Sequence, residues 1–301
     1  MRIVVTGGTG FIGRAITREL RRRGHDVVAA SRHGEVSVDV HDVDSLTAAF
    51  AGADAVVNAV QFTNYPVEDR RRGLTFDAVD RAGTERQVAV AAEAGVSRFL
   101  YVSGIGADPH GPRHWYRAKG DAEAAIRAQT DDHFILRPSW VYGPEDVSLN
   151  RFVPIARRVS LLPVVGDGTQ QLEPVFVGDV AWAFGEAVDQ ETRGTFEIGG
   201  PERLTMDDVE RTLAEVLGRR ARLVHVPAGL VRTVGRVAGA LPRPRLSADA
   251  VEFLVGDALA DTGPLVAALP ALPRTRLADG LHSYLPNGGP ITRLAGRRRI
   301  G

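Results

Sequence analysis

The residues with the clearest chemistry stand near the start of the chain. Thr6-Gly7-Gly8-Thr9-Gly10-Phe11-Ile12-Gly13 follows a β-branched run and opens a segment with helical spacing. Glycines at 7, 10 and 13 allow a tight turn, close approach of a ligand to backbone, and close packing of helix on sheet. Thr9, Phe11 and Ile12 belong to the same loop, at a helix N-terminus where free N–H groups and the helix dipole favour an anion. That is the chemistry of holding the pyrophosphate of a dinucleotide. The next apolar run ends in Ser31-Arg32-His33, with no acid before Glu35. A carboxylate there would bond the adenosine ribose hydroxyls and select NAD, whereas an Arg pairs with the 2′-phosphate of NADP. Ser31 and Arg32 therefore favour NADP(H) over NAD(H). Asp39-Val40 is a candidate adenine contact, and Asn58-Ala59-Val60 closes a strand near the ribose and pyrophosphate. Asp and Asn at such places equally cap helices and turns.

These loops need elements to hold them. Arg2–Thr6 is a short Val-rich run stopped by Gly7-Gly8, the pattern of a buried strand. Phe11–Arg23 carries Ile12, Ile16 and Leu20 at helical spacing and stops at Gly24. Further strands are predicted over Asp26–Ser31, Ala53–Val60, Arg98–Ser103 and Phe134–Pro138, with helices over Val43–Phe50, Ala78–Ala94 and His114–Gln129. Such alternation predicts an α/β fold, a Rossmann-type doubly wound parallel sheet with helices on both faces. Residues 1–145 form the predicted dinucleotide-binding domain. Beyond Tyr142-Gly143-Pro144 the prolines multiply and the alternation breaks down, which makes 146–301 a smaller C-terminal substrate-binding region. Segments near 175–200 are expected to return to the first domain, with short strands at Val175–Val177 and Phe196–Ile198. Thr205 is the expected cap of a helix over Thr205–Leu217, and Arg297-Arg298-Arg299 an expected solvated tail.

Composition narrows the classes. Hydrophobic residues make up 44% of 301, enough for a sizeable core, and 37 Lys and Arg balance 37 Asp and Glu. A net charge of zero leaves no electrostatic footprint for nucleic acid or an anionic membrane. The absence of cysteine excludes disulfides, thiolate metal sites and a thiol nucleophile. The eight His residues show no ligand spacing, so no metal site is expected. MRIVVTGG has no basic stretch leading into a long apolar run, and no run of about 18 apolar residues occurs. A cytoplasmic protein with a small-molecule substrate is expected. One basic residue stands apart: of the 37 Lys and Arg, only Lys119 is lysine. In a chain that otherwise uses Arg, a compact, tunable ammonium at a single place points to a role.

Several segments together resemble a known family. They are Thr6–Gly13, Arg98–Ser103 followed by Gly104, Tyr116–Lys119, and Leu136-Arg137-Pro138 followed by Val141-Tyr142-Gly143-Pro144. Gly166–Gln171, Pro174–Ala181 and the turn Gly199-Gly200-Pro201 continue the match. The chain resembles an extended or atypical short-chain dehydrogenase/reductase, close to the atypical group that contains an accessory subunit of respiratory complex I. The resemblance implies a catalytic Ser, Tyr and Lys, with Tyr four residues before Lys. It places Ser103 at or beside the Ser position and Lys119 at the Lys position, where the ammonium would also bond the nicotinamide ribose. It sets Pro138, Val141 and Tyr142 beside the nicotinamide. Four residues before Lys119, however, stands Trp115, and the nearest tyrosine is Tyr116, three before. The two spacings differ by about 100° of helix rotation, so Tyr116 faces a different azimuth from the family tyrosine.

The resulting reading is an NADPH-dependent oxidoreductase, a ketoreductase acting on an activated carbonyl of a small or polycyclic, secondary-metabolite-type substrate. The proton would come from Tyr116, His114, water or the substrate itself. Gln61–Tyr65 (QFTNY) could reach the nicotinamide or substrate, or form a plain polar loop. Two alternatives are a non-catalytic NAD(P)-binding subunit, structural or redox-sensing, and a nucleotide-sugar epimerase or dehydratase. The latter needs the family tyrosine still more, because a proton is handled at each end of its hydride cycle.

Overall fold

Short runs of β-branched and small apolar residues between glycines assemble into one parallel sheet. The computed structural model describes residues 1–159, 161–239 and 247–285; the expected tail Arg297–Arg299 lies outside them. Strands β1 (Arg2–Thr6), β2 (Asp26–Ser31), β3 (Val36–Ser37), β4 (Ala55–Asn58), β5 (Arg98–Val102) and β6 (His133–Pro138) join the later strand Gly194–Ile198. The order across the seven-stranded sheet is Gly194–Ile198, β6, β5, β4, β1, β2, β3. The strand order reverses between β1 and β4. A crevice opens at such a point, beyond the carboxyl ends of the strands.

The period-2 alternation of each strand feeds two cores. Ile3, Val5, Val57, Leu100 and Leu136 face helix α1 (Phe11–Arg22) and the helix Val177–Asp189. Val4, Val56, Phe99, Tyr101 and Ile135 face α2 (Val43–Phe50), α3 (Ala82–Glu93) and α4 (His114–Gln129). Each fully buried Val, Leu, Ile or Phe here contributes roughly 1.5–3 kcal/mol of burial free energy. Helix α1 buries Ile16 and Leu20, as their spacing predicts, and ends where Gly24 takes φ +90°.

Three differences from the sequence-based expectation bear on function. The helix expected over Ala78–Ala94 opens instead as a π-helical segment, Phe76–Arg81, before α3 continues it. Thr75 starts it by accepting the Ala78 N–H at 3.0 Å. The wider turn delivers Asp80 to the interior; a 3.6-residue pattern does not encode it. The strand expected over Val175–Val177 stops at Phe176, and Val177 opens a 13-residue helix that packs on α1. The two-residue strand β3, which had no apolar run to announce it, forms the sheet edge.

The C-terminal lobe has its own core, with Tyr142, Leu149, Val153, Leu162, Val209, Leu213 and Leu281. Its helix Met206–Val216 begins with a reciprocal cap, in which Asp208 N–H donates to Thr205 Oγ1 at 3.1 Å and Thr205 N–H to Asp208 Oδ2 at 3.0 Å. Glu210 on that helix is fully buried, and among the described residues neither carboxylate oxygen has a hydrogen-bond partner. Burial pushes its pKa up to about 8, with Arg151 pulling it down and Asp207 pushing it further up. The folded chain therefore keeps a proton that the unfolded chain releases near pH ~4.3. The stability this gives is complete at low pH and is lost as pH rises towards 8. Glu210→Gln should raise the melting temperature at pH 8 by about 3–6 °C and change it little at pH 5. An equal shift at both pH values in a thermal-shift assay would contradict this.

Candidate active site

A cleft of about 330 Å³ lies at the carboxyl ends of β1, β2 and β4, within the size range of small-molecule sites. Of the sequence-predicted cofactor residues, Gly7, Thr9, Gly10, Phe11, Ile12, Ser31, Arg32, Asp39, Val40, Ala59 and Val60 line it. The glycines are required by contact. Gly7 has φ +72°, and a Cβ on it would stand 2.5 Å from the Ala59 carbonyl oxygen. A Cβ on Gly13 would stand 2.2 Å from the Gly7 oxygen, so Gly13 shapes the loop from behind. Gly10 begins α1 with no side-chain cap on the first helical N–H groups. A dinucleotide fits this loop, because its pyrophosphate would meet donors that no side chain has claimed.

At the end of β2, Ser31 Oγ and Thr9 Oγ1 are 2.8 Å apart. Arg32 Nη2 donates to Thr63 Oγ1 at 3.1 Å. Glu35 is turned away: it accepts the Ala29 N–H at 3.2 Å and pairs with Arg21. The carboxylate that lines the cleft near Ser31 and Arg32 comes from Asp39, beyond β3, and not from the end of β2 itself. Asp39 stays at the cleft, its Oδ1 taking the His41 N–H at 2.9 Å. His33, His41, Gln61, Phe62, Arg72 and Val79 also line the cleft. Gln61 and Phe62 belong to the QFTNY loop expected to reach the nicotinamide or substrate, whereas His33, His41, Arg72 and Val79 were not singled out as cofactor residues. Arg72 belongs to a run of three arginines whose approach to β2 depends on a fold-back between β4 and α3, a long-range feature that periodicity does not carry.

Asn58, Pro138 and Val141 do not line this cleft. Asn58 Nδ2 donates to Thr84 Oγ1 at 2.9 Å and its Oδ1 accepts the Val60 N–H at 3.0 Å, so it fastens the end of β4 to α3. Pro138 is buried in its pairing with Ile198, and Val141 pairs with Val175.

Lys119 sits elsewhere, buried on α4. Its Nζ lies 2.8 Å from Asp80 Oδ1 and donates to Tyr101 Oη at 3.3 Å. Burial pushes the ammonium down, but the Asp80 charge, helped by Tyr101 and Tyr65, holds it above the ordinary lysine range. Burial lifts the Tyr101 phenol, and Lys119 pulls it back. Tyr65, half-buried on the loop after β4, is lifted by burial and drawn down by the same ammonium. Asp80, Tyr101 and Tyr65 escaped the sequence analysis as partners of Lys119, because they come from three separate elements.

The hydroxyl expected from Ser103 is directed elsewhere. Its Oγ donates to Glu123 Oε1 at 2.6 Å, and Glu123 also receives Arg137 Nε at 2.8 Å and Arg127 Nη1 at 3.0 Å. The residue facing Lys119 is Gly104, whose added Cβ would lie 3.6 Å from Lys119 Cδ. Ser103→Ala should cost roughly 1.5–3 kcal/mol of stability through the lost charge-assisted bond and leave cofactor affinity unchanged. Paired thermal and cofactor titrations check this, and weakened cofactor binding would return Ser103 to the site. Tyr116 overlies the loop before α4, where a Cβ on Gly106 would reach within 2.7 Å of its ring. Trp115 is buried between Phe76 and Phe253, with centroids at 6.2 and 6.0 Å. His114 faces Glu68 at 3.5 Å.

A dinucleotide cleft on a doubly wound sheet, with a buried lysine beyond it, defines a class of NAD(P)-dependent enzyme. Residues 3–199 match the NAD dependent epimerase/dehydratase family, and the chain belongs to it. Within that family it is an NAD(P)H-dependent oxidoreductase of the atypical short-chain dehydrogenase/reductase type. It is 29% identical over 291 residues to the mitochondrial NADH dehydrogenase (ubiquinone) 1 alpha subcomplex subunit 9 of Arabidopsis thaliana, covering 87% of this chain and 71% of that one. It is 27% identical over 251 residues to the 2-alkyl-3-oxoalkanoate reductase of Stenotrophomonas maltophilia, covering 72% and 76%. The structure of human epimerase family protein SDR39U1 with NADPH has the same fold, with TM-score 0.76 and 22% identity over 94% of this chain and 99% of that one.

Proposed function

We propose that this protein is an NADPH-dependent reductase of an activated ketone. One observation carries the reading: the cleft lined by Ser31 and Arg32 also reaches Val79 and Val102, the chain neighbours of Asp80 and Tyr101, which hold the buried Lys119. One point adds support: the Stenotrophomonas relative is named a reductase of an oxo acid.

Bound NADPH supplies the hydride that the carbonyl carbon takes. The chain's part is to hold, orient and protonate. The α1 N-terminus and the loop Gly7–Gly13 would hold the pyrophosphate, and Arg32 the 2′-phosphate. Lys119, kept charged by Asp80, would supply a fixed positive charge for negative charge growing on the substrate oxygen. A second reading is favoured by Trp115 and Gly104, which leave the family's tyrosine and the hydroxyl facing Lys119 unfilled: an NAD(P)-binding subunit without turnover. Fluorescence titration with NADPH and NADH, followed by NADPH consumption against a panel of cyclic and polycyclic ketones, separates the two. Tighter NADPH binding with turnover supports the reductase; tight binding with no turnover on any ketone supports the subunit.

A further inference from the structure

We propose that Arg72, carried by a tight turn between β4 and α3, is a second arginine for the 2′-phosphate of NADPH and sets cofactor choice together with Arg32. The proposal rests on the NADPH reading and is independent of turnover.

The charges that line the cleft point to it. Among the described residues they are two arginines, Arg32 and Arg72, and one carboxylate, Asp39. Asp39 Oδ1 already takes the His41 N–H at 2.9 Å. Arg32 Nη2 donates to Thr63 Oγ1 at 3.1 Å, and among the described residues neither arginine forms an ion pair. The arginines of α1 behave differently: Arg21, Arg22 and Arg23 each hold a carboxylate. Two fixed positive charges against one negative leave the cleft short of an anion. A phosphate monoester brings about −1.5 to −2 at pH 7, where NADH offers a neutral hydroxyl.

Local structure explains how Arg72 comes to Arg32. Asp69 N–H donates to the Leu74 oxygen at 2.9 Å and Leu74 N–H returns to the Asp69 oxygen at 3.0 Å, closing an antiparallel turn. Gly73, at φ +66°, reverses the chain within it. Leu74 is buried in one apolar cluster with Val40 and Phe62. Val40 adjoins Asp39, and Phe62 adjoins Thr63, the partner of Arg32. The turn is thus pinned at the cleft, and Arg72 is exposed there two residues before its buried anchor. His33 and His41 line the same cleft. A guanidinium, unlike an imidazole, joins a permanent charge to a planar fork of donors that matches phosphate.

The test uses the full chain and reads binding alone. Wild type, Arg72→Gln and Arg71→Gln would be titrated with NADPH and NADH, and with adenosine 2′,5′-bisphosphate and 5′-AMP, which report the adenosine end without the nicotinamide. Arg71 shares the turn but does not line the cleft. Arg72→Gln should weaken NADPH and the bisphosphate about 10–30-fold and leave NADH and AMP within about twofold of wild type. Arg71→Gln should leave all four unchanged. No loss in Arg72→Gln, an equal loss for NADPH and NADH, or the same loss in Arg71→Gln overturns the assignment and leaves the reductase reading standing. A wild-type chain that binds NADH as tightly as NADPH overturns both the assignment and the NADPH reading.

Discussion

Lys119→Met is expected to lower stability at pH 8 by about 3–5 kcal/mol, because it strands a buried carboxylate rather than because it deletes a favourable bond. Asp80 is 2% exposed, and Lys119 is the one cation paired with it among the described residues. In a protein of this size the loss corresponds to a fall of roughly 10 °C in melting temperature. The pH dependence distinguishes this cause from simple loss of packing. Burial already pushes the Asp80 carboxyl up, and without Lys119 nothing pulls it back. Its folded pKa then lies above the unfolded value of about 3.9, so stability is greatest at low pH and is lost as pH rises. The deficit should therefore be small near pH 5 and full at pH 8. Asp80→Asn in the same chain should recover most of it. A deficit that ignores pH, or that Asp80→Asn fails to relieve, would mean the pair is not the ionised unit described here.

The second large effect is expected from one methyl group. Gly13→Ala places a Cβ 2.2 Å from the Gly7 carbonyl oxygen, and backbone must move to admit it. Alanine itself suits a helix better than glycine by about 1 kcal/mol, so α1 should survive. The displaced loop is the part that would meet the pyrophosphate. NADPH affinity should drop about a hundredfold, close to 2.7 kcal/mol, with a much smaller change in melting temperature. Calorimetric titration reads this directly, and near-normal affinity would show that the loop does not hold the cofactor.

The glycine loop and the cleft it borders were legible because their requirements are local. Glycines at 7, 10 and 13 are needed by one turn, and Arg32 stands at the end of one strand. Asn58, expected near the same loop, does not line the cleft, and its amide bonds Thr84 and the Val60 N–H. The chemistry around Lys119 was only half legible. Its rarity among the basic residues marked it, but its partners come from β5, the loop after β4, and a π-helical turn that the 3.6-residue pattern hides. Ser103 and Gly104 show the same limit at single-residue scale. The alternation of β5 ends at Val102, and the loop beyond it decides which of the two faces the lysine. The C-terminal lobe was the least legible, since its short strands pair with distant partners such as Leu161–Val165 with Arg222–Val226.

The most direct test of the reductase account follows the hydride. Wild-type protein would be given NADPH deuterated at the nicotinamide C4 and an activated polycyclic ketone, and the product examined by mass spectrometry and NMR. The account predicts one deuterium on the new carbinol carbon, delivered to a single face, at a rate that falls when NADH replaces NADPH. Saturated cofactor binding with no deuterium in any product would contradict it.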